Sequence, residues 1–331
     1  MHSAPVESAA RPKDATLIEA VFPALAALSG RVPTSLTRAA FDYSTSAEIE
    51  LLKIAFADAG HPVELLLKNL SARALLPPAR GVRPHFLPAA SNEIIAYQTF
   101  LSSADLGTPR CLAAFNDAVR DVAWIVLEKI DGNPLAHVGD FSAWTEAAIW
   151  LATLHGTPAG NATLPRYDRA YFLTWLDHAE RLLRSSPPAT PAVARDRRRL
   201  LDAYASVIDA LATLPCAVVH GEYYAANILI RETPAPQRVC PIDWATAGIG
   251  PRALDLAALT SGDWPDDERI AMVAAYHRAA PHWPMRELTH HVDLCRLHIA
   301  VQWAFWAVDW DAPQDQQHDW LAEGLQAAEQ I

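Results

Sequence analysis

The chain has 331 residues, of which 51% are hydrophobic and 20% charged, and its formal net charge is −11. That length suggests two lobes with buried cores, and that balance excludes a disordered chain. An acidic chain lacks the basic face needed to neutralise nucleic-acid phosphates, so a nucleic-acid partner is not expected.

In chain order, residues 1–16 are polar, and TLIEAVFPALAAL (16–28) has its apolar residues at helical spacing. RAAFDY and EIELLKIAFAD read as strands, DAGHP as a turn, and VELLLK (63–68) as a third strand. SNEIIAYQTFL (91–101) predicts a helix capped by Ser91 or Asn92, with Ile94, Tyr97 and Leu101 on one face. RCLAAFND and VAWIVLEKI predict two more strands. After DGNPL the pattern is helical over 141–156, 168–185, 193–213, ERIAMVAAYHRA and HHVDLCRLHIAVQWAFWAVDW.

Cys111, Cys216, Cys240 and Cys295 stand far apart, mostly in apolar strings. That is the pattern of reduced, buried thiols and not of a disulfide framework or zinc site. No apolar run reaches bilayer length, and MHSAPVESAARPKDAT lacks the layout of a signal peptide. A cytoplasmic protein without a membrane partner is expected.

The chemistry concentrates in VVHGEYYAANILI (218–230) and VCPIDW (239–244). The first places His220, Glu222 and Asn227 on a short loop between apolar segments, and the second ends an apolar segment at Asp243. A carboxylate, an amide and a second carboxylate on one hairpin suit phosphoryl transfer. Glu222 would orient an attacking hydroxyl and receive its proton. Asn227 and Asp243 would hold Mg²⁺ against phosphate oxygens. In the front part, Lys68 at a strand end and Glu93 at a helix start can form an ion pair that aims the lysine at phosphates.

HGEYYAANILI, followed by CPIDWATAGIGPRALDLAAL, resembles the aminoglycoside phosphotransferase/choline kinase-like family, relatives of the protein kinases. VELLLKNLS, NEIIAYQTFL, VLEKIDGNPL and WTEAAIWLATLHG extend the resemblance over residues 36–310. It implies an α+β, protein-kinase-like bilobal fold with a small antiparallel-sheet lobe and a mainly helical lobe. The expected division is an N-terminal extension (1–35), a nucleotide-binding lobe (36–130) and a helical lobe with the catalytic loop and acceptor site (131–331). The implied activity moves the γ-phosphate of ATP, with Mg²⁺, to a hydroxyl of a small molecule. Glu222 falls at the catalytic-base position and Asn227 and Asp243 at the metal positions. Lys68 would touch the nucleotide phosphates and Glu93 would hold it. Leu127, Glu128 and Lys129 would form the hinge whose backbone meets adenine, with Leu229 under the ring. Tyr43, Ser44, Thr45 and Ser46 fall where a loop covers the phosphates.

One departure stands out. The family has Asp where this chain has Glu222, and one more methylene displaces the carboxylate by more than about 1 Å. A loose transition state asks little of the base beyond orientation, so catalysis is the expected reading. The alternative is a nucleotide-binding pseudokinase that regulates a partner protein.

Other features have structural readings. His220 is expected to order its loop, and Asp255 to cap a helix and brace that loop. His290, His291 and His298 read as helix-face histidines, and GIGPRA (248–253) is no dinucleotide fingerprint, because Pro251 interrupts it and no βαβ unit surrounds it. Trp303, Trp306 and Trp310 share a helix face, and are either core or an aromatic wall of the acceptor pocket, where Asp309 and Asp311 would favour a cation.

Overall fold

A computed structural model describes residues 11–41, 47–58, 60–76, 84–185, 190–232, 238–306 and 317–331. Helix α1 (Asp14–Ser29) precedes a five-stranded antiparallel sheet. Its strands are β1 (Pro33–Ala40), β2 (Ile49–Phe56), β3 (Val63–Asn69), β4 (Cys111–Asp117) and β5 (Val122–Glu128), in the spatial order β1-β2-β3-β5-β4. Helix α2 (Asn92–Ala96) lies between β3 and β4 in the chain.

Alternation decides what each face carries. Leu52, Ile54, Leu65, Leu67, Trp124 and Val126 form one core with Leu17, Val21 and Leu25 of α1. The opposite residues of β5, Ala123, Ile125 and Leu127, join Ile94, Tyr97 and Phe100 in the main core. Strand β5 is therefore buried on both faces, which explains its unbroken apolar run. The same alternation turns Lys68 away from α1.

Beyond the sheet come the short strand β6 (Gly132–Pro134) and helices α3 (Phe141–Gly156), α4 (Arg169–Ser185) and α5 (Pro191–Thr213). Then follow β7 (Cys216–Val219), β8 (Ile228–Arg231), β9 (Val239–Pro241) and β10 (Gly248–Pro251). Helices α6 (Ala253–Thr260), α7 (Asp266–Ala279), α8 (Met285–Trp306) and α9 (Trp320–Gln330) complete the chain. Strands β6, β8 and β9 make one small sheet, and β7 pairs with β10. Helix α8 packs on α4, α5, α6, α7 and α9, and its Leu294, Leu297, Ile299 and Val301 are buried.

Local signals set several ends. Asp140 caps α3 by accepting from the Ser142 amide at 2.9 Å. Thr190 caps α5 ahead of Pro191, which has no N–H to leave unsatisfied.

Four expectations need correction. The helix expected over 91–101 is α-helical to Ala96 and continues as a π-helical turn over Tyr97–Leu101. Ser91 makes no side-chain cap, and Asn92 spends its amide on a tertiary contact. Of the cysteines, all free, Cys240 and Cys295 are buried, Cys111 is half-buried and Cys216 is exposed. His298 lies in the core, donating through Nδ1 to Tyr204 Oη at 2.8 Å, while Tyr204 donates to the Phe172 carbonyl at 3.1 Å. Among the described residues no helix is long and apolar enough to cross a membrane.

Candidate active site

Lys68 reaches from β3 to two carboxylates. Its Nζ lies 2.6 Å from Glu93 Oε2 and 3.0 Å from Asp243 Oδ1. Burial works against the ammonium, but Asp243 and Glu93 outweigh it and hold Lys68 above its ordinary pKa. Glu93 is fully buried, and its second oxygen accepts from the Trp244 amide at 3.4 Å.

Helix α2 is fixed to the segment after Asp243 by a residue the sequence reading assigned elsewhere. Asn92 Nδ2 donates to the carbonyls of Ala245 and Ala247, both at 3.0 Å, from a buried position. No local pattern signals this contact, because its partners are more than 150 residues away.

The loop after β7 is built around Asp255. One carboxylate oxygen accepts from the His220 amide at 2.7 Å and the other from the Gly221 amide at 2.9 Å. His155 Nε2 adds a contact to Asp255 at 3.3 Å, and His155 Nδ1 meets Tyr276 Oη at 3.0 Å. Asp255 thus braces the loop as expected, although the N-cap of α6 has no side-chain hydrogen bond. His220 Nε2 donates to the Ile242 carbonyl at 2.9 Å, so its Nδ1 accepts from the Glu222 amide at 3.3 Å. Burial lowers the His220 pKa, which favours this neutral tautomer.

Two glycines are demanded by this packing. Gly221 has φ +85°, and a Cβ there would meet the Thr246 carbonyl. At Gly250 a Cβ would lie 2.9 Å from Tyr167 Cβ. GIGP is a strand, β10, pressed against that tyrosine.

From Glu222 the chain makes a compact turn. The Tyr224 amide donates to the Glu222 carbonyl at 2.8 Å, and the Asn227 amide to the Tyr224 carbonyl at 2.8 Å. Asn227 Nδ2 also donates to the Glu222 carbonyl at 3.0 Å, which turns Asn227 Oδ1 the other way. In the β8–β9 hairpin Ile228 faces Pro241, and the Ile242 amide donates to the Asn227 carbonyl at 2.9 Å. Asn227 is thereby set beside Ile242 and Asp243. Asp243 has φ +65° and ψ +69°, a left-handed conformation that costs about 1–3 kcal/mol outside glycine and clusters at functional sites.

The structure therefore joins Lys68, Glu93 and Asp243 directly, and Glu222, Asn227 and Asp243 through the hairpin. Leu127, Glu128 and Lys129 lie apart, at the end of β5. Arg110 donates to Glu128 Oε2 from its amide and Nε at 3.2 and 3.4 Å, and Lys129 pairs with Asp131 at 2.8 Å and Glu64 at 3.1 Å. Leu229 faces Pro134 of β6, which follows this segment, and Cys240 of β9. Tyr43, Ser44, Thr45 and Ser46 lie outside the described residues, as do Asp309, Trp310 and Asp311. Trp303 is described: its Nε1 donates to Tyr224 Oη at 2.7 Å, and its ring stacks on Trp320 at 5.5 Å.

Comparison with known proteins gives the family and the fold. The chain belongs to the phosphotransferase enzyme family, whose model matches residues 79–288, more than half of it. No curated protein matches the chain by sequence. Among solved structures it is similar to a macrolide 2′-phosphotransferase from Brachybacterium faecium, with 16% identity over 92% of this chain and 96% of that one and a TM-score of 0.56. A choline/ethanolamine kinase family protein from Mesorhizobium loti shares 19% identity over 88% of this chain and 86% of its own, with a TM-score of 0.55. An aminoglycoside 2′-phosphotransferase solved with GDP shares 15% over 95% of both chains, with a TM-score of 0.57. The fold is the protein-kinase-like α+β one expected, a small antiparallel sheet followed by a mainly helical part, and the chain is an enzyme of the phosphotransferase class.

Proposed function

We propose that this enzyme transfers the γ-phosphoryl group of ATP to a hydroxyl of a small molecule, with Mg²⁺ as cofactor. The observation that carries the reading is the triad Lys68, Glu93 and Asp243, with Asn227 placed beside Asp243 by the hairpin. Glu93 holds Lys68 so that its ammonium meets the nucleotide phosphates, and Leu127 to Lys129 offer backbone groups to adenine, with Leu229 beneath it. The nucleotide lies between the part formed by residues 36–130 and the part formed by 131–331.

The donor set fits the metal. Among the described residues no three His, Cys, Asp or Glu side chains could hold an ion by themselves. Asn227 Oδ1 and the Asp243 carboxylate are hard oxygen donors, and Mg²⁺ is held by one or two such groups with substrate phosphates completing the set. Bound there, it supplies positive charge against the phosphate oxygens. Glu222 orients the acceptor hydroxyl and takes its proton; its amide is fixed by His220 Nδ1 and its carbonyl by Asn227 and Tyr224.

The pseudokinase alternative rests on Glu222 alone, while Lys68, Glu93, Asn227 and Asp243 are all retained. The relatives' names span macrolides, aminoglycosides and choline or ethanolamine, so a hydroxyl-bearing small molecule is the class to test. The experiment is a screen of such alcohols with Mg²⁺ and either ATP or GTP, reading the phosphorylated product. Product formed by the wild type and lost in Glu222→Gln supports the reading. Nucleotide binding with no transfer to any acceptor, and no response to Mg²⁺, favours the alternative.

A further inference from the structure

Tyr223 and Tyr224 leave the loop in different directions. Tyr223 is buried, donates to the Ala147 carbonyl at 3.1 Å and stacks on Trp150. Tyr224 is half-buried and meets the far end of the molecule. It accepts from Trp303 Nε1 of α8 at 2.7 Å and packs edge-on against Trp303 and Trp320. Trp320, at the start of α9, stacks on Trp303 with an interplanar angle of 13°. A packed tryptophan usually finds a partner for its N–H, and the partner Trp303 takes is the side chain of a residue inside the loop that carries Glu222 and Asn227.

Tyr224 is also the centre of the loop's own bonding. Its amide donates to Glu222, and its carbonyl accepts from Asn227. Whatever holds Tyr224 therefore sets the spacing between Glu222 and Asn227. A glutamate has one more torsion than the aspartate usual at this position, and more freedom to lose on fixing its carboxylate. A loop pinned from outside offsets that freedom.

We infer that Trp303 and Tyr224 form a positioning pair for phosphoryl transfer, through which α8 and α9 fix Glu222 relative to Asn227. The inference rests on the proposed role of Glu222. It assigns the tryptophan to the catalytic loop's support, where the sequence offered core or acceptor wall. Neither residue is a catalytic residue on this account, since each acts through Glu222.

The test uses the full chain and Mg·ATP with water as the acceptor, following release of labelled phosphate. Trp303→Phe keeps a ring and removes the donor; Tyr224→Phe keeps the ring and removes the acceptor. Because misplacement by about 1 Å can cost about 100-fold, a partial loosening is expected to lower kcat about 10-fold in each variant. Nucleotide Kd and the unfolding midpoint should hardly move. The double variant should be no slower than either single one, because both remove one hydrogen bond. Singles with unchanged kcat overturn the inference, as does a double variant slowed by the product of the two effects. Should a variant unfold, Trp303→His, which keeps a ring N–H, replaces it, and kcat equal to that of Trp303→Phe counts against the pair. A wild type that binds no nucleotide, or that transfers phosphate neither to water nor to any alcohol of the screen, overturns the proposed function itself and the pair with it.

Discussion

Lys68 and Glu93 meet at 2.6 Å although 25 residues separate them, and Glu93 is wholly enclosed while Lys68 also reaches Asp243. The two sides of this pair are not equivalent. Replacing Glu93 by Gln leaves Lys68 with Asp243, whereas replacing Lys68 by Met leaves Glu93 enclosed without its cation. Breaking a buried pair by removing one partner costs about 3–5 kcal/mol, and the enclosed charge sets that cost. Lys68→Met should thus lower urea stability more than Glu93→Gln, and both should weaken nucleotide binding. Equal stability losses would show that the enclosed charge does not govern the pair.

Asp255 accepts from two consecutive amides, those of the residues just before Glu222, and touches His155. Asp255→Asn keeps the size but turns a donor toward one of those amides. The expected loss is about 1–3 kcal/mol of stability, together with slower turnover. Chemical denaturation and steady-state kinetics measure the two effects, and nucleotide affinity should change least.

Glu222 supplies a sharp contrast between two conservative changes. Glu222→Gln removes the proton acceptor and should lower turnover by about 10²–10⁴-fold. Glu222→Asp keeps the acid but withdraws it by more than about 1 Å, and a loss of about 10–100-fold is expected. Nucleotide Kd should stay within error in both. An aspartate variant as fast as the wild type would show that the loop is not shaped around the longer side chain.

The acid side of the stability profile should reflect His298. Burial lowers its pKa to about 3, against about 6.5 in the unfolded chain. Below about pH 6.5 the unfolded state binds a proton that the folded state refuses, so stability falls as pH falls, by about 1.4 kcal/mol per unit. The loss continues until the folded value is reached. His220 is lowered too and acts in the same direction. His318 is raised, chiefly by its hydrogen bond to Glu323, and acts oppositely: its contribution is present at low pH and lost as pH rises through its folded value. His298→Phe removes one proton site and leaves Tyr204 its bond to Phe172. Urea unfolding of both proteins from about pH 6.5 to 4.5 should show the stability of the wild type falling faster than that of the variant, by about 2–3 kcal/mol over that range.

Much of the fold was legible because its signals are local. Helix α3 has the bounds its apolar spacing implied, and β3 and β5 follow from short apolar runs between turn residues. The site was legible where motif and order suffice, which is why Lys68 and Glu93 pair as expected, while the contact of Lys68 with Asp243 was not anticipated. What was hidden depends on distant partners. Asn92 looks like a helix cap until its amide is seen on Ala245 and Ala247, and Trp303 looks like core until its N–H is seen on Tyr224, 79 residues away. The π-helical turn at Tyr97–Leu101 has no separate signature, since its buried residues also suit an α-helix. Helix α9 was not anticipated, and it supplies the ring that backs Trp303.

The central claim is that Asn227 and Asp243 hold a metal against the phosphates of a nucleotide steered by Lys68. Calorimetric titration of the wild type and Asp243→Ala with ATP and with GTP, each with and without Mg²⁺, tests it most directly. The account predicts that one nucleotide binds the wild type, that Mg²⁺ tightens it, and that Asp243→Ala abolishes the gain while the fold persists. Nucleotide binding that ignores Mg²⁺ in the wild type, or a gain that survives loss of the Asp243 carboxylate, would contradict it.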